Sequence, residues 1–343
     1  MRFLTRRITA VSACLAAFAM TVGTATAKGP GASEAEVDTS GKRSGSDLVS
    51  MIRYTSTTTG NSRKGNVVPV GNWTPPACWY EPRSAQEFSR YVENMYDETV
   101  NTPGQHSYAK ASVGMFRNEY KDGKYKNYNL DKRDEGNWWV AVRDEDRWTE
   151  PEAQLCDEPP FWVENGAPPP VENPVTPQVL AELAYNRIQL PTTEVALAPE
   201  AATKVNLPTW AWLDKARFKE VSVTAALDVG GLNIQATTTA KPVSLKLEPG
   251  TPDAETYPTS GECTINDDGS IGEPYAKGKA DRTPPCGIRY LRSSGDATFN
   301  LQATVTWEIT WTGTGSPNPT QLPNGTFGND QDVTVQEIQS VNR

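Results

Sequence analysis

The chain has 343 residues, with 33 Lys and Arg against 42 Asp and Glu, and its formal charge is −9. A protein this acidic repels phosphate backbones, so the composition argues against nucleic acid as a partner. The length is enough for two domains of ordinary size, and the many Thr, Val and Pro residues favour β-structure.

Residues 1–27 have the pattern of a signal peptide. An apolar stretch follows a positive start, and the segment ends in the small residues Ala25-Thr26-Ala27. The positive residues are Arg2, Arg6 and Arg7. The predicted mature chain begins at Lys28 and has a formal charge of −12, because the leader removes three basic and no acidic residues. Lipidation at Cys14 and twin-arginine export remain open alternatives.

No later segment reaches the run of about 18 apolar residues that a membrane-spanning helix needs. We therefore expect a secreted, extracellular protein without a transmembrane segment in its mature chain. Residues 28–46 are rich in Gly, Ser, Lys and Glu, which predicts a disordered lead-in.

The mature chain has four cysteines, and an even number in an exported protein predicts two disulfides. Of the three possible pairings we favour Cys78 with Cys156 and Cys263 with Cys286, because each bridge then stays inside one predicted domain. The chain has no CxxC pair, so the spacing predicts neither a zinc site nor a redox site.

Residues 47–175 are predicted to form an α+β domain. A first strand is expected within 48–58, and a helix is expected from Ser84, because Ser84-Ala85-Gln86-Glu87 matches a capping box. The apolar residues that follow at helical spacing are Phe88, Tyr91, Val92 and Met95. This helix should end before Pro103.

Two further features complete the predicted N-terminal domain. Asp122-Gly123 stands between aromatic residues and predicts a hairpin turn. A strand is expected at Trp138–Arg143 with Trp138, Val140 and Val142 on one face. The proline-rich stretch 151–174 is expected to be an ordered loop held by Cys156.

Residues 176–204 are predicted to contain a helix and a linker. Thr176 can cap the helix, and Pro177 suits the first helical position. Pro191 should end this segment, and the Ala-, Thr- and Pro-rich residues that follow lead to the C-terminal domain.

From 205 to 343 the hydrophobic period becomes two. Residues 221–229 and 232–237 alternate on either side of Gly230-Gly231, which predicts a β-hairpin with a two-residue turn. A third strand is expected at 243–247, a long one at 301–312 and a last one near 333–338. Several antiparallel strands with an internal disulfide predict a β-sandwich.

Four segments of this region resemble a known family: 205–212, 286–290, 293–294 and 303–313. Together they resemble PKD-like, immunoglobulin-like domains of secreted actinobacterial proteins. Upstream, Pro75–Pro82 is similar to a secreted group from the same bacteria, some of whose members are labelled enoyl reductases. The resemblance implies a mainly β chain, with an immunoglobulin-like (PKD-like) β-sandwich after the disulfide-pinned α+β region. It also implies an extracellular adhesive or spacer role.

The motifs of catalysis and cofactor binding are missing from the sequence. His106 is the only histidine, and the mature chain has no GxSxG elbow to accompany it. A nicotinamide cofactor needs a glycine-rich turn between a strand and a helix, whereas Gly230-Gly231 is predicted between two strands. If Gly269 of Asn266-Asp267-Asp268-Gly269 is the sixth residue of a calcium loop, the first is Thr264 and the twelfth is Tyr275, and neither has the required carboxylate. We therefore predict no cofactor, no metal and no catalytic residue.

Ten tryptophans are a high number for this length, and four of them are the candidate ligand-binding residues: Trp138, Trp139, Trp148 and Trp162. The predicted function is a secreted, non-enzymatic binding or spacer protein. Its partner would be a glycan, a cell-wall polymer or another extracellular protein. The alternative is a secreted hydrolase of wall polymer or glycan that uses the acidic cluster Asp144-Glu145-Asp146.

Overall fold

The structure is a computed structural model that describes residues 36–38, 50–57, 64–192, 194–200, 202–213, 219–279 and 281–338. The predicted signal peptide lies outside the described residues. Of the predicted lead-in 28–46, only a strand at 36–38 is described. The three helices of the described part are α1 (Ala85–Asn101), α2 (Ser107–Lys121) and α3 (Pro177–Asn186), and short 3-10 helices cover Asn127–Lys132 and Pro151–Gln154.

The chain is mainly β, as predicted. Its described strands are β1 (Glu36–Asp38), β2 (Arg53–Ser56), β3 (Lys64–Asn66), β4 (Val68–Pro69), β5 (Cys78–Arg83), β6 (Gly136–Arg143), β7 (Phe161–Glu164), β8 (Gln189–Pro191), β9 (Ala196–Ala198), β10 (Thr203–Lys204), β11 (Pro208–Leu213), β12 (Val221–Val229), β13 (Leu232–Glu248), β14 (Ala254–Tyr257), β15 (Glu262–Thr264), β16 (Ile271–Gly272), β17 (Gly287–Tyr290), β18 (Phe299–Gly313), β19 (Ser316–Val333) and β20 (Val335–Gln336).

Helices α1 and α3 begin where the sequence predicts. The Ser84 hydroxyl accepts a hydrogen bond from the Glu87 N–H at 3.2 Å, and the Glu87 carboxylate accepts one from the Ser84 N–H at 3.1 Å. This is the predicted capping box. The Thr176 hydroxyl caps α3 by accepting a hydrogen bond from the Val179 N–H at 3.2 Å. Both caps satisfy amide groups that a helix start leaves unpaired.

The hairpin predicted at Asp122-Gly123 is wrong, because these residues follow helix α2. The N–H groups of Asp122 and Gly123 donate to the Asn118 carbonyl at 2.9 and 2.7 Å. An Asp-Gly pair suits a helix C-terminus as well as a tight turn. The apolar residues of α2 lie three or four positions apart, and Val113 and Tyr120 are buried.

A three-stranded sheet, β5-β6-β7, forms the framework of the N-terminal region. The strand predicted at Trp138–Arg143 is confirmed as part of β6. One face of β6 packs on α1, where the Phe88 and Trp138 rings stack with centroids 4.4 Å apart. Within 151–174, predicted to be a loop throughout, Phe161–Glu164 is a strand paired with β6.

The largest sheet has the strand order β1-β2-β12-β13-β18-β19-β4, and β15 also pairs with β13. The predicted hairpin is confirmed, because Val229 pairs with Leu232 across Gly230-Gly231. The predicted third strand is the second half of β13 rather than a separate element. The ladder shifts register between Pro242 and Ser244, so this long strand continues past the proline through a bulge.

The alternation predicted at 301–312 is confirmed in β18. Its buried side chains are Leu301, Ala303, Val305, Trp307, Ile309 and Trp311. Strand β19, which pairs with β18 along almost its whole length, was missed because it is rich in Pro, Gly and Asn. Of the last strand predicted near 333–338, only Val335–Gln336 is a separate strand.

A second sheet has the order β14-β17-β11-β16, and β9 also pairs with β11. It packs on the large sheet, where Tyr290 of β17 and Phe299 of β18 stack with centroids 5.3 Å apart. Both predicted disulfides are confirmed: Cys78–Cys156 has a Cα–Cα distance of 5.9 Å and Cys263–Cys286 one of 5.5 Å. The second joins β15 of the large sheet to the start of β17.

The residues assigned to separate predicted domains share contacts. Strand β2 from the predicted N-terminal domain pairs with Val223–Ala226 of β12. Helix α3 lies against the large sheet, where the Thr238 hydroxyl donates to the Ala181 carbonyl at 2.7 Å. Residues Glu34–Arg343 form one compact unit. The domain boundaries and the immunoglobulin-like identity of 205–343 stay predictions.

Candidate functional site

Trp138 is a core residue in this structure. Its side chain is 0% exposed, and its indole N–H donates to the Tyr128 carbonyl at 2.8 Å. The rings of Phe88, Tyr120 and Tyr125 lie within 5.2 Å of it, centroid to centroid. No face of this ring is therefore available to stack on a ligand.

The three other candidate tryptophans differ in exposure. Trp139 is buried at 8% exposure, and Trp162 is half-buried with its ring centroid 5.5 Å from that of Trp138. Trp148 is 49% exposed in the loop after β6. None of these four rings lines the cavity described below, and their role in binding stays a prediction.

The acidic cluster 144–146 includes one buried carboxylate. Asp144 is 7% exposed and accepts hydrogen bonds from the Asp146 N–H at 3.0 Å and the Asn186 amide at 3.5 Å. Its oxygens thus hold the turn after β6 and link it to the end of α3.

A second buried carboxylate, which the sequence analysis did not identify, lies on β5. Glu81 is 0% exposed and forms an ion pair with Arg83 at 2.9 Å. It also accepts hydrogen bonds from the Ser50 hydroxyl at 2.5 Å, the Met51 N–H at 2.8 Å and the Trp79 indole N–H at 2.7 Å. Both oxygens are occupied, so Glu81 connects β5 to the segment before β2 and has a structural role.

A charged cluster joins α1 to α2. The Glu93 carboxylate accepts hydrogen bonds from Arg117 at 2.6 Å, Lys121 at 2.8 Å and the Tyr128 hydroxyl at 2.6 Å. Burial raises the pKa of the Glu93 carboxyl, but the three hydrogen bonds outweigh burial and lower this pKa to about 2. The cluster therefore stabilises the contact between the two helices.

The remaining sequence motifs have local roles. His106 is exposed at the N-terminus of α2, where its ring stacks on Tyr108. Asn266-Asp267-Asp268-Gly269 forms a turn in which the Asp268 carboxylate accepts a hydrogen bond from the Ser270 N–H at 3.0 Å. Within the described residues, no group of three or more His, Cys, Asp or Glu is placed to hold a metal ion. A search of the same residues found no helix long and apolar enough to cross a membrane.

A candidate binding site among the described residues is a groove of about 500 Å³ between the second sheet and the edge of the large sheet. Glu194–Leu197 and Glu200, around β9, line one side with Trp212 of β11. Asn329–Gln331 of β19 line the other side. We call this site the β9–β19 groove.

Backbone pairing defines the position of the groove. Strand β9 pairs with β11, where Ala196 lies opposite Trp212. On the other side, Asn329–Gln331 pair with β18. Beyond the groove the two chain segments meet, because Thr203 pairs with Val335 in a short parallel ladder. The groove thus lies between β9 and β19, and the strands that follow them, β10 and β20, pair with each other.

The lining combines an apolar floor with an acidic rim. Val195 and Leu197 are buried, and Trp212 is half-buried. Glu194, Glu200 and Asp330 are exposed, and the described residues of the lining include no Lys or Arg. Gln331 also lines the groove, and its buried Oε1 has no hydrogen-bond partner among the described residues. This arrangement can attract a cationic group, accept hydrogen bonds and stack against an apolar or planar surface.

The β9–β19 groove was not predicted from the sequence. Glu194 and Glu200 lie in the predicted linker, Trp212 belongs to no predicted site, and the strand that contains Asp330 was not predicted. These residues come from three segments separated along the chain, and no local motif connects them.

Comparisons with known proteins identify no relative. The chain matches no protein-family model, and neither the curated proteins nor the solved structures gave a match.

Proposed function

We propose that this chain is an exported, disulfide-stabilised binding protein whose ligand occupies the β9–β19 groove. The observation that carries this proposal is the groove itself, which is lined by the partly exposed Trp212 and by the acidic residues Glu194, Glu200 and Asp330. Binding sites are typically concave, with an apolar lining and a few polar groups that orient the ligand. The β9–β19 groove has these properties.

The two disulfides support export. All four cysteines of the predicted mature chain are paired, and each is at most 2% exposed. Buried disulfides of this kind are typical of proteins that fold in an oxidising compartment. Together with the pattern of residues 1–27, they favour a protein that acts outside the cytoplasm.

The structure does not favour the alternative of a hydrolase centred on 144–146. Asp144 is buried, and its oxygens accept hydrogen bonds from its own turn and from Asn186. A paired acid and base would need both carboxyl groups to face a bound glycosidic bond. We therefore place the function of the chain in the β9–β19 groove and not in this turn.

Array binding tests the proposal. The disulfide-intact protein is applied to a glycan array and to an array of short synthetic peptides, and the dissociation constant of each hit is measured. We expect Trp212→Ala to weaken binding about tenfold, since it removes the aromatic surface of the groove. Trp148→Ala removes an exposed tryptophan elsewhere and should leave binding unchanged.

A second variant separates a binding defect from a folding defect. Asp330 is exposed, so Asp330→Asn should preserve the unfolding midpoint while it weakens binding. If no probe on either array binds, or if both groove variants bind as well as the original chain, the proposed site is wrong. If only Trp148→Ala abolishes binding, the site lies instead in the loop after β6 that contains Trp148.

A further inference from the structure

We propose that the ligand of the β9–β19 groove is an extended, positively charged polypeptide segment that adds as a strand to the edge of β19. This inference rests on the proposed function, because it names the class of ligand for the same site. Three features carry it: the unpaired edge of β19, the second open edge at β9, and the charge of the lining.

The edge of β19 is open at the groove. Asn329, Asp330 and Gln331 pair with Ala303, Gln302 and Leu301 of β18 through one edge. On the other edge, β4 pairs only with Gly325 and Thr326. No other described strand pairs with β19 at 329–331. An open edge presents N–H and C=O groups to which an extended peptide can form hydrogen bonds.

Strand β9 presents a second open edge to the same groove. Ala196–Ala198 pair with β11, and no other strand in the described part of the chain pairs with them. An extended segment in the groove can thus form backbone hydrogen bonds with β9 on one side and with β19 on the other. This geometry suits a polypeptide better than a compact molecule.

Strand β10 of the chain already pairs with β20, the strand that directly follows β19. Just beyond the groove, the Thr203 N–H donates to the Thr334 carbonyl at 3.0 Å, and the Val205 N–H donates to the Gln336 carbonyl at 3.0 Å. These bonds lie where the chain continues from β19 into β20. A ligand strand beside 329–331 would extend the pairing that β10 has with β20.

The charge of the lining selects a basic segment. Among the described residues that line the groove, three are acidic and none is basic, and the whole chain has a formal charge of −9. Lys or Arg side chains of a bound strand can pair with Glu194, Glu200 and Asp330, and a cation can also lie over the Trp212 ring. An acidic strand would be repelled.

The test uses a labelled synthetic hexapeptide of alternating lysine and threonine, with fluorescence anisotropy as the measurement. We expect saturable binding that weakens as salt is raised. Two control peptides have glutamate in place of lysine, or N-methyl groups on alternate backbone amides. Both should bind at least tenfold more weakly, the first through charge and the second through lost backbone donors.

Matched protein variants locate the site. Asp330→Asn and Glu194→Gln should each weaken peptide binding about two- to fivefold, as expected for partly exposed ion pairs. Glu308→Gln removes the same charge from the outer face of β18 and should have no effect. Hydrogen exchange of the 329–331 amides should slow when the peptide is bound, which a purely electrostatic contact would not cause.

The outcomes separate this inference from the proposed function. Peptide binding that is insensitive to N-methylation, or that leaves exchange at 329–331 unchanged, overturns strand addition. A glycan that binds in the groove while the lysine peptide does not overturns the inference and leaves the proposed function in place. If neither the hexapeptide nor the array probes bind, both are wrong.

Discussion

Replacing Glu81 by Gln removes a negative charge from the fully buried centre of a hydrogen-bond network. Four donors surround the carboxylate at 2.5 to 2.9 Å, and one of them is the guanidinium of Arg83, itself 3% exposed. A Gln amide has one acceptor oxygen where the carboxylate has two. Its NH2 group must therefore face a donor, and only the Ser50 hydroxyl can turn to accept from it.

The size of the effect follows from the burial of the pair. With the amide nitrogen at the Oε1 position, the Trp79 indole N–H loses its acceptor, and Arg83 keeps a hydrogen bond but no longer faces the negative charge of Glu81. Breaking a buried ion pair by removing one partner costs about 3–5 kcal/mol. We therefore expect Glu81→Gln to lower the free energy of unfolding by about 4 kcal/mol, a large part of the total for an ordinary domain.

Urea unfolding with intact disulfides, followed by tryptophan fluorescence, measures this change. The matched control is Glu255→Gln, which breaks the exposed ion pair between Glu255 and Arg289 and should change stability by less than about 1 kcal/mol. A Glu81→Gln protein that unfolds within about 1 kcal/mol of the original chain would refute the reasoning. It would mean that the network does not depend on a buried charge.

Two further predictions concern Glu93 and Gly230. The pKa of the Glu93 carboxyl falls from 4.5 to about 2 on folding, so its contribution to stability is present above pH 4.5 and is lost as pH falls toward 2. The difference in unfolding free energy between the original chain and Glu93→Gln should shrink over that range, and a constant difference would contradict the prediction. Gly230→Ala should destabilise the hairpin more than Gly231→Ala, as thermal unfolding would show. Both glycines have positive φ, but a Cβ at Gly230 would lie 1.7 Å from Asn137 Oδ1, whereas at Gly231 it meets no atom within 4 Å. Equal thermal unfolding midpoints of the two variants would contradict this prediction, because they would mean that the Asn137 side chain moves away from the new Cβ without loss of stability.

The features predicted correctly depend on neighbours in sequence. The caps at Ser84 and Thr176 need only residues three positions away, and the turn at Gly230-Gly231 needs only two residues between alternating strands. Their physical basis is local, since a cap pairs amides of its own first turn. The disulfide pairing was also predicted, because only one of the three possible arrangements keeps each bridge inside one predicted domain.

The features that were missed depend on context. Asp122-Gly123 was assigned to a hairpin because this dipeptide favours a tight turn, but it also suits a helix end, and here it follows α2. Strand β19 has many residues with low strand propensity, and its long pairing with β18 outweighs this local preference. For β19, the residues nearby in space, rather than those nearby in sequence, decide the structure.

The amino-acid order alone determines the predicted export signal, the acidic balance, two helix starts and the alternation of β12 and β18. All of these are short-range or compositional properties. The tertiary structure alone decides which carboxylates are buried and where a groove opens. Glu81 and Glu194 are the same residue type, yet one is enclosed by four donors and the other lines the groove. The reason is that burial and concavity are set by packing among distant segments, which no local pattern encodes.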